Sequence, residues 1–161
     1  MRILFLGDVV GISGCSKLTS SLLSEIKSKK IDFVIANGEN AAAQGVGLTE
    51  EICKDFYNCG VNVITTGNHV WDQKEIMKYI EKEERLLRPK NLFEPAPGRG
   101  FQIFKTDKNI RVGVLNLMGN VFMKKCEDVF ETSKKFLSEY NLKDDYDLLV
   151  IDFHGEITSE K

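Results

Sequence analysis

Short apolar runs in the first half of the chain alternate with segments in which apolar residues recur at helical spacing. The runs cover residues 2–6, 31–36 and 61–65, and a glycine follows each of them within two residues. Between the first two runs, Leu18 and Leu22 lie one helical turn apart among polar residues, which is typical of an amphipathic helix. The alternation predicts strand–helix–strand units and a mostly parallel sheet, because parallel neighbours need crossover connections.

Local signals mark the ends of the next two helices. Thr49 is a suitable N-cap because two glutamates follow it, and Gly60 stands where a left-handed C-cap belongs. Asp72, with Glu75 three residues later, resembles a capping box at the start of the third helix. The first half of the chain is therefore predicted to contain three strands, each followed by a helix.

The pattern changes in the second half. Residues 86–100 contain all three prolines of the chain, which indicates a turn-rich connection. Residues 101–105 and 110–117 are apolar runs joined by a short polar link, a pattern that predicts a β-hairpin. A last helix over 129–140 and a last strand over 146–151 follow. Because a hairpin adds antiparallel pairing, we predict an α/β fold in layers with a mixed sheet.

Size and charge limit the classes of protein that fit. With 161 residues and 42% hydrophobic content, the chain is expected to form a single domain over residues 1–161. Its net charge of −2 gives no positive field, so no stable nucleic-acid partner is expected. The apolar run at residues 2–6 is too short for a signal sequence or membrane span, so we expect a cytoplasmic protein without membrane association. The cysteines show no Cys-x-x-Cys spacing, which favours free thiols.

Polar residues collect where the predicted strands end. They are Asp8, Glu39, Asn40, Asn68, His69, Asn116 and His154. Ligands of open α/β sheets bind beyond the carboxyl ends of the strands, because loops from several strands meet at that edge. The only two histidines of the chain belong to this set. Carboxylates, carboxamides and imidazoles together indicate a metal site.

The mixture of ligand types favours particular metals and a particular reaction. Oxygen ligands combined with imidazole suit manganese or iron, with zinc as an alternative and magnesium a less natural one. A carboxylate such as Glu39 can bridge two ions about 3.5–4 Å apart, the separation that serves phosphoryl transfer. Such a pair of ions would hold a phosphate without help from lysine or arginine.

A dinucleotide-binding fold is the competing interpretation. Gly7, Gly11 and Gly14 follow the first strand and precede a helix. The spacing does not match the Gly-x-Gly-x-x-Gly pattern, and Asp8 would direct a negative charge at the pyrophosphate. We therefore prefer the metal site, and we expect the glycines to let the chain turn into the first helix.

Segments spread along the whole chain carry a resemblance to one family. They are GDVVG at 7–11, NGENA at 37–41, TGNHVWD at 66–72, RPKN at 88–91, PGRG at 97–100, NLMG at 116–119, DFH at 152–154 and TSEK at 158–161. Through them the chain resembles the calcineurin-like metallophosphoesterase superfamily and, within it, the YmdB-like 2′,3′-cyclic-nucleotide phosphodiesterases. The resemblance implies a small phosphodiester or cyclic nucleotide as substrate.

The resemblance also implies roles for single residues. Asp8, Glu39 and Asn40 would hold one metal ion, and Glu39, Asn68 and His154 would hold the second. His69 would be the proton donor, a role that suits an imidazole titrating near neutrality. Val10 stands where the wider superfamily has a histidine, and the YmdB-like branch lacks that histidine too. Cys15 stands where this family is expected to have arginine.

One departure from the family pattern concerns the C-terminal end. Family members are expected to continue past Lys161 into a Gly-Thr-His-Thr-His segment whose histidines complete both metal shells. We therefore expect a C-terminally truncated domain with a partial site and an open sheet edge, which would favour homo-oligomers. Two functions stay open: a metal-dependent phosphodiesterase, or a truncated, inactive remnant of such an enzyme with weak metal binding.

Overall fold

The computed structural model describes residues 1–93 and 95–161 and confirms the α/β class. The strands are β1 (Ile3–Leu6), β2 (Phe33–Asn37), β3 (Val63–Thr65), β4 (Phe101–Lys105), β5 (Arg111–Met118) and β6 (Leu148–His154). The helices are α1 (Gly11–Lys29), α2 (Glu50–Asn58), α3 (Ile76–Ile80) and α4 (Val129–Glu139), and a short 3-10 helix covers Thr158–Glu160. The elements follow the predicted order.

The described strands form two three-stranded sheets, not the single mixed sheet predicted from the sequence. The first sheet has the order β1-β2-β3 and is parallel throughout. In the second sheet, β4 pairs antiparallel with β5, and β5 pairs parallel with β6. The predicted hairpin, β4 and β5, thus belongs to the second sheet. The predicted antiparallel pairing occurs there, and the first sheet is purely parallel.

The two sheets face each other, and helices cover their outer faces. Alternate residues of β2 separate the two interfaces: Ile35 packs with Val63 and Val114 between the sheets, whereas Val34 joins the core under the helices. Both faces of β2 are buried, which explains its unbroken apolar run. On the far side, Phe136 of α4 packs on the second sheet. The layers are therefore helix, sheet, sheet, helix.

The predicted helix ends were right at α2 and wrong at α3. The Thr49 side chain accepts a hydrogen bond from the Ile52 amide at 3.3 Å, and Gly60 follows the C-cap with a φ of 105°. At α3, no capping box forms, because the helix begins only at Ile76. The carboxylate of Asp72 is engaged elsewhere, with His69 and Lys124.

Parallel pairing brings the carboxyl ends of β1, β2 and β3 to one edge of the molecule. In the second sheet, β5 and β6 run parallel in a register that pairs Asn116 with Asp152. The Nδ2 of Asn37 in the first sheet donates to Oδ2 of Asp152 at 3.0 Å, so this edge is shared by both sheets. The fold therefore gathers the ends of five strands around one place.

Two further expectations can be compared with the structure. Cys15, Cys53, Cys59 and Cys126 are free thiols, as predicted. Within residues 1–93 and 95–161, no helix combines the length and the apolarity needed to cross a membrane.

Candidate active site

The predicted site residues line a single open cavity at the shared edge of the sheets, with a volume of about 370 Å³. They are Asp8, Glu39, Asn40, Asn68, His69 and His154. Asp8 follows β1, while His154 is the last residue of β6. Residues from the two sheets, which are far apart in the chain, therefore meet in the space where the sequence predicted metal ions.

The five predicted metal ligands form a continuous series of contacts. Nδ2 of Asn40 lies 2.8 Å from Oδ2 of Asp8 and 3.2 Å from Oε1 of Glu39. The same Glu39 oxygen lies 2.9 Å from Nε2 of His154. Nε2 of His154 also lies 3.0 Å from Oδ1 of Asn68, so one N–H is shared between a carboxylate and an amide. Glu39 stands in the middle of the series.

Glu39 is deeply buried, with 2% of its surface exposed. Its second oxygen, Oε2, accepts a hydrogen bond from the His69 amide at 3.3 Å. Gly67 allows this approach, because a Cβ at that position would lie 2.1 Å from Oε2 of Glu39 and 2.4 Å from Cδ2 of His154. The glycine of the third strand end is thus required by close packing against two site residues.

The donor chemistry suits metal ions, but only if the carboxamides take part. Among the described residues, no three His, Cys, Asp or Glu side chains lie close enough together to hold a metal ion by themselves. The Oδ1 atom of Asn40, however, is buried and has no hydrogen-bond partner. Because buried polar atoms are nearly always paired, this oxygen fits a ligand role.

Electrostatics favour a positive charge in the cavity. Burial by itself would lower the pKa of His154, but its hydrogen bond to Glu39 and the charges of Glu39, Asp152 and Asp8 outweigh burial and raise the pKa. In the described lining, four carboxylates (Asp8, Glu39, Asp152, Glu156) face two histidines and Lys161. Glu39 and Asp152 are buried whereas Asp8 and Glu156 are exposed, and a cluster of carboxylates of this kind is stabilised by bound cations.

His69 is held differently from the five predicted ligands. Its Nδ1 donates to Oδ2 of Asp72 at 2.6 Å, and Oδ1 of Asp72 pairs with Nζ of Lys124 at 3.0 Å. The hydrogen bond from His69 lowers the pKa of Asp72. Burial opposes this change, and Lys124 lowers the pKa further. The ring is therefore fixed through Nδ1, which leaves Nε2 available for a ligand in the cavity.

A buried polar seam lies beneath the site and includes Asn116, which belongs to the polar set predicted at the strand ends but is not among the described residues that line the cavity. Asn116 accepts from the Thr66 amide at 3.0 Å and donates to the Asp152 carbonyl at 3.3 Å. Asn37 donates a hydrogen bond to the Asp152 carboxyl. Burial raises the pKa of Asp152, and this effect is larger than the lowering caused by its hydrogen bonds. Polar residues inside otherwise apolar strands, as at Asn116 and Asp152, were the available signal.

The chain matches one protein family over nearly its whole length. A family model described as "YmdB-like protein" matches residues 4–161. A 2′,3′-cyclic-nucleotide 2′-phosphodiesterase of Bacillus subtilis is 41% identical over 162 residues, an alignment that covers 100% of this chain and 60% of that protein.

Two solved structures are also similar. A hypothetical protein from Thermus thermophilus superposes with a TM-score of 0.90 at 35% identity, covering 100% of this chain and 60% of that one. A phosphatase from Mycoplasma pneumoniae superposes with a TM-score of 0.88 at 32% identity, covering 99% of this chain and 57% of that one. The chain therefore spans somewhat more than half the length of each of these relatives.

Proposed function

The chain belongs to the YmdB-like protein family, and from that membership we propose that it carries the site of a metal-dependent phosphodiesterase. The proposed substrates are 2′,3′-cyclic nucleotides or related phosphodiesters, because the Bacillus subtilis relative bears the name of a 2′,3′-cyclic-nucleotide 2′-phosphodiesterase. The proposed reaction is hydrolysis of one ester bond to phosphorus.

The unbroken series of contacts from Asp8 to Asn68 carries this proposal. Its members are lone-pair donors of the types that bind manganese or iron, with zinc and magnesium as alternatives. Asp8, Glu39 and Asn40 would hold one ion, and Glu39, Asn68 and His154 would hold the other. When bound, the metals would polarise the phosphate and lower the pKa of a water molecule.

The negative charge of the cavity favours a site that binds phosphate through metal ions. It disfavours a site that binds phosphate directly through the side chains of the chain. An anionic phosphodiester would be repelled by the Asp8 and Glu39 carboxylates unless cations lay between them. Lys161 is the one lysine in the described lining of the cavity, and a single lysine does not offset four carboxylates. Bound cations would reverse the sign of the local field and let the substrate approach.

His69 is the residue that we assign to proton transfer. In the hydrolysis, the oxygen of water forms a bond to phosphorus while the bond from phosphorus to one ribose oxygen breaks. That leaving oxygen needs a proton, and Nε2 of His69 is free to supply it because Nδ1 is held by Asp72 at 2.6 Å. The product is a nucleoside monophosphate, and the proton lost by water restores the imidazolium in the next cycle.

An assay of the purified 161-residue chain tests the proposal. After loading with manganese or iron, the chain is incubated with 2′,3′-cyclic AMP and with bis(p-nitrophenyl) phosphate. Turnover well above that of the Asp8→Ala and Glu39→Ala variants is expected. Turnover equal to those variants would instead support the second hypothesis, in which the chain binds metal weakly and hydrolyses nothing.

A further inference from the structure

Residues 119–124 form a short loop, here called the 119–124 loop, that is attached to the site at both ends. At its start, the amide of Gly119 donates to the carbonyl of His154 at 2.8 Å. At its end, Nζ of Lys124 pairs with Asp72, the residue that holds His69. The loop therefore runs from the backbone of a proposed metal ligand to the carboxylate that holds the proposed proton donor.

A carboxylate fixes the backbone in the first half of this loop. Oε1 of Glu160 accepts from the Asn120 amide at 2.5 Å and from the Val121 amide at 3.2 Å. Gly119 makes room for it, because a Cβ there would lie 2.3 Å from Oε2 of Glu160. The backbone just before residue 122 is thus held by specific contacts.

Phe122, at the apex of the loop, has an unusual conformation and environment. Its φ of 60° lies in the left-handed region, which is unfavourable for a bulky residue. Its side chain is 85% exposed, so the ring gains little from packing against the chain. Strained, exposed residues of this kind concentrate at ligand-binding positions, because the surrounding contacts and not local preference hold them there.

We infer that Phe122 is a stacking platform for the nucleobase of the substrate. The inference rests on the proposed function, which places the phosphate among the metal ligands. The loop that carries the ring is tied at one end to the backbone of His154 and at the other, through Asp72, to His69, and both histidines line the cavity. An exposed aromatic face binds any base by stacking, so the platform would favour nucleotides over base-free phosphodiesters without selecting one base.

Binding measurements on the manganese-loaded chain test the inference without requiring turnover. Isothermal titration calorimetry compares adenosine 3′-monophosphate with inorganic phosphate. For Phe122→Ala we expect about a tenfold or larger loss of nucleotide affinity with phosphate affinity unchanged, and for Phe122→Trp an affinity close to that of the parent. Phe130→Ala is the matched control, because Phe130 is another exposed phenylalanine, 69% accessible on α4 and outside the loop.

The outcomes separate the inference from the proposed function. Equal nucleotide affinity in the parent and Phe122→Ala, or equal losses for nucleotide and phosphate, overturns the platform while the phosphodiesterase site stands. A parent chain that binds manganese but neither nucleotide nor phosphate overturns the proposed function, and the platform with it. Circular dichroism of each variant checks folding, and alanine keeps the Cβ so that the left-handed backbone is perturbed as little as possible.

Discussion

Oδ2 of Asp72 lies 2.6 Å from Nδ1 of His69, and this contact gives His69 different surroundings from those of His154, the other histidine of the cavity. His154 directs Nε2 toward Glu39 and Asn68, the two residues proposed to share a metal ion with it. His69 instead has its Nδ1 engaged by a carboxylate outside the ligand series. Asp72 also pairs with Lys124, so it joins the 119–124 loop to His69.

The first prediction concerns His69 as the proton donor. His69→Ala is expected to lower turnover of 2′,3′-cyclic AMP by about a hundredfold or more, the usual size of a lost acid-base contribution. Metal content, measured by mass spectrometry of the purified protein, is expected to stay at the parent level because the imidazole is outside the ligand series. A collapse of metal content in His69→Ala would make His69 a ligand and contradict its assigned role.

The second prediction concerns Glu39 as the bridging ligand. The parent is expected to hold about two ions per chain, and Glu39→Gln close to none, because the bridge serves both ions. Manganese should raise the melting temperature of the parent but not of the variant, since stabilisation requires binding to the folded state. Glu156→Gln is the control, because Glu156 lines the same cavity outside the ligand series. Equal metal content in all three proteins would refute the bridging role.

The third prediction concerns the polar seam beneath the site. Asn116 is fully buried and bonds the Thr66 amide and the Asp152 carbonyl, so Asn116→Ala removes the side-chain acceptor of the buried Thr66 amide and one hydrogen bond to the Asp152 carbonyl. The expected loss is about 1–3 kcal/mol in the free energy of unfolding, measured by urea denaturation. Asn58→Ala, at an exposed position of α2, should change it by less than about 0.5 kcal/mol. Similar values for the two variants would show that the seam does not stabilise the fold.

The sequence was sufficient to predict the strands, their order along the chain and the residues at their carboxyl ends. Apolar runs and glycines mark where each strand stops, and parallel pairing then brings the polar residues that follow to one edge. The same reasoning predicts that Asp8, Glu39 and His154 lie together, and all three line the cavity. Local chemistry was enough at Thr49 as well, because its partner Ile52 lies three residues away.

Relationships between distant parts of the chain were not predictable in the same way. A strand pattern shows that residues 101–105 form a strand but not which strand they pair with, and so the second sheet was missed. Asp72 had the local signal of a capping box, yet it bonds Lys124, which lies 52 residues away. Asn37 and Asp152 are 115 residues apart. Such contacts depend on how layers pack, which periodicity alone does not encode.

The fourth prediction concerns acid stability at the opposite end of the second sheet. Arg111 bonds Asp147 through its amide and its guanidinium, which lowers the pKa of Asp147 from 3.8 to about 2. Because the folded-state pKa is depressed, the pair stabilises the fold above pH 3.8 and loses that contribution as the pH falls toward 2. In urea melts across this range, the stability difference between the parent and Asp147→Asn should narrow.

Asp107→Asn provides the control for this pH dependence, because Asp107 is exposed in the turn between β4 and β5. Its melts are expected to run parallel to those of the parent as the pH falls. If Asp147→Asn also runs parallel to the parent, the Arg111 pair makes no pH-dependent contribution and the prediction is wrong.

The last prediction compares two glycines that follow strands of the first sheet, Gly7 after β1 and Gly67 after β3, to separate effects on the site from effects on the fold. A Cβ at Gly67 would meet Glu39 and His154 at 2.1 and 2.4 Å, whereas a Cβ at Gly7 would meet nothing within 4 Å. Gly67→Ala must therefore displace the Glu39 carboxylate or the His154 imidazole, and if these are ligands its manganese content should fall well below that of the parent. Gly7→Ala adds the same methyl group beside Asp8, but into open space, and should keep the parent's metal content. Normal metal binding in Gly67→Ala would mean that neither Glu39 nor His154 needs its observed position to hold an ion, and the proposed ligand set would have to be replaced.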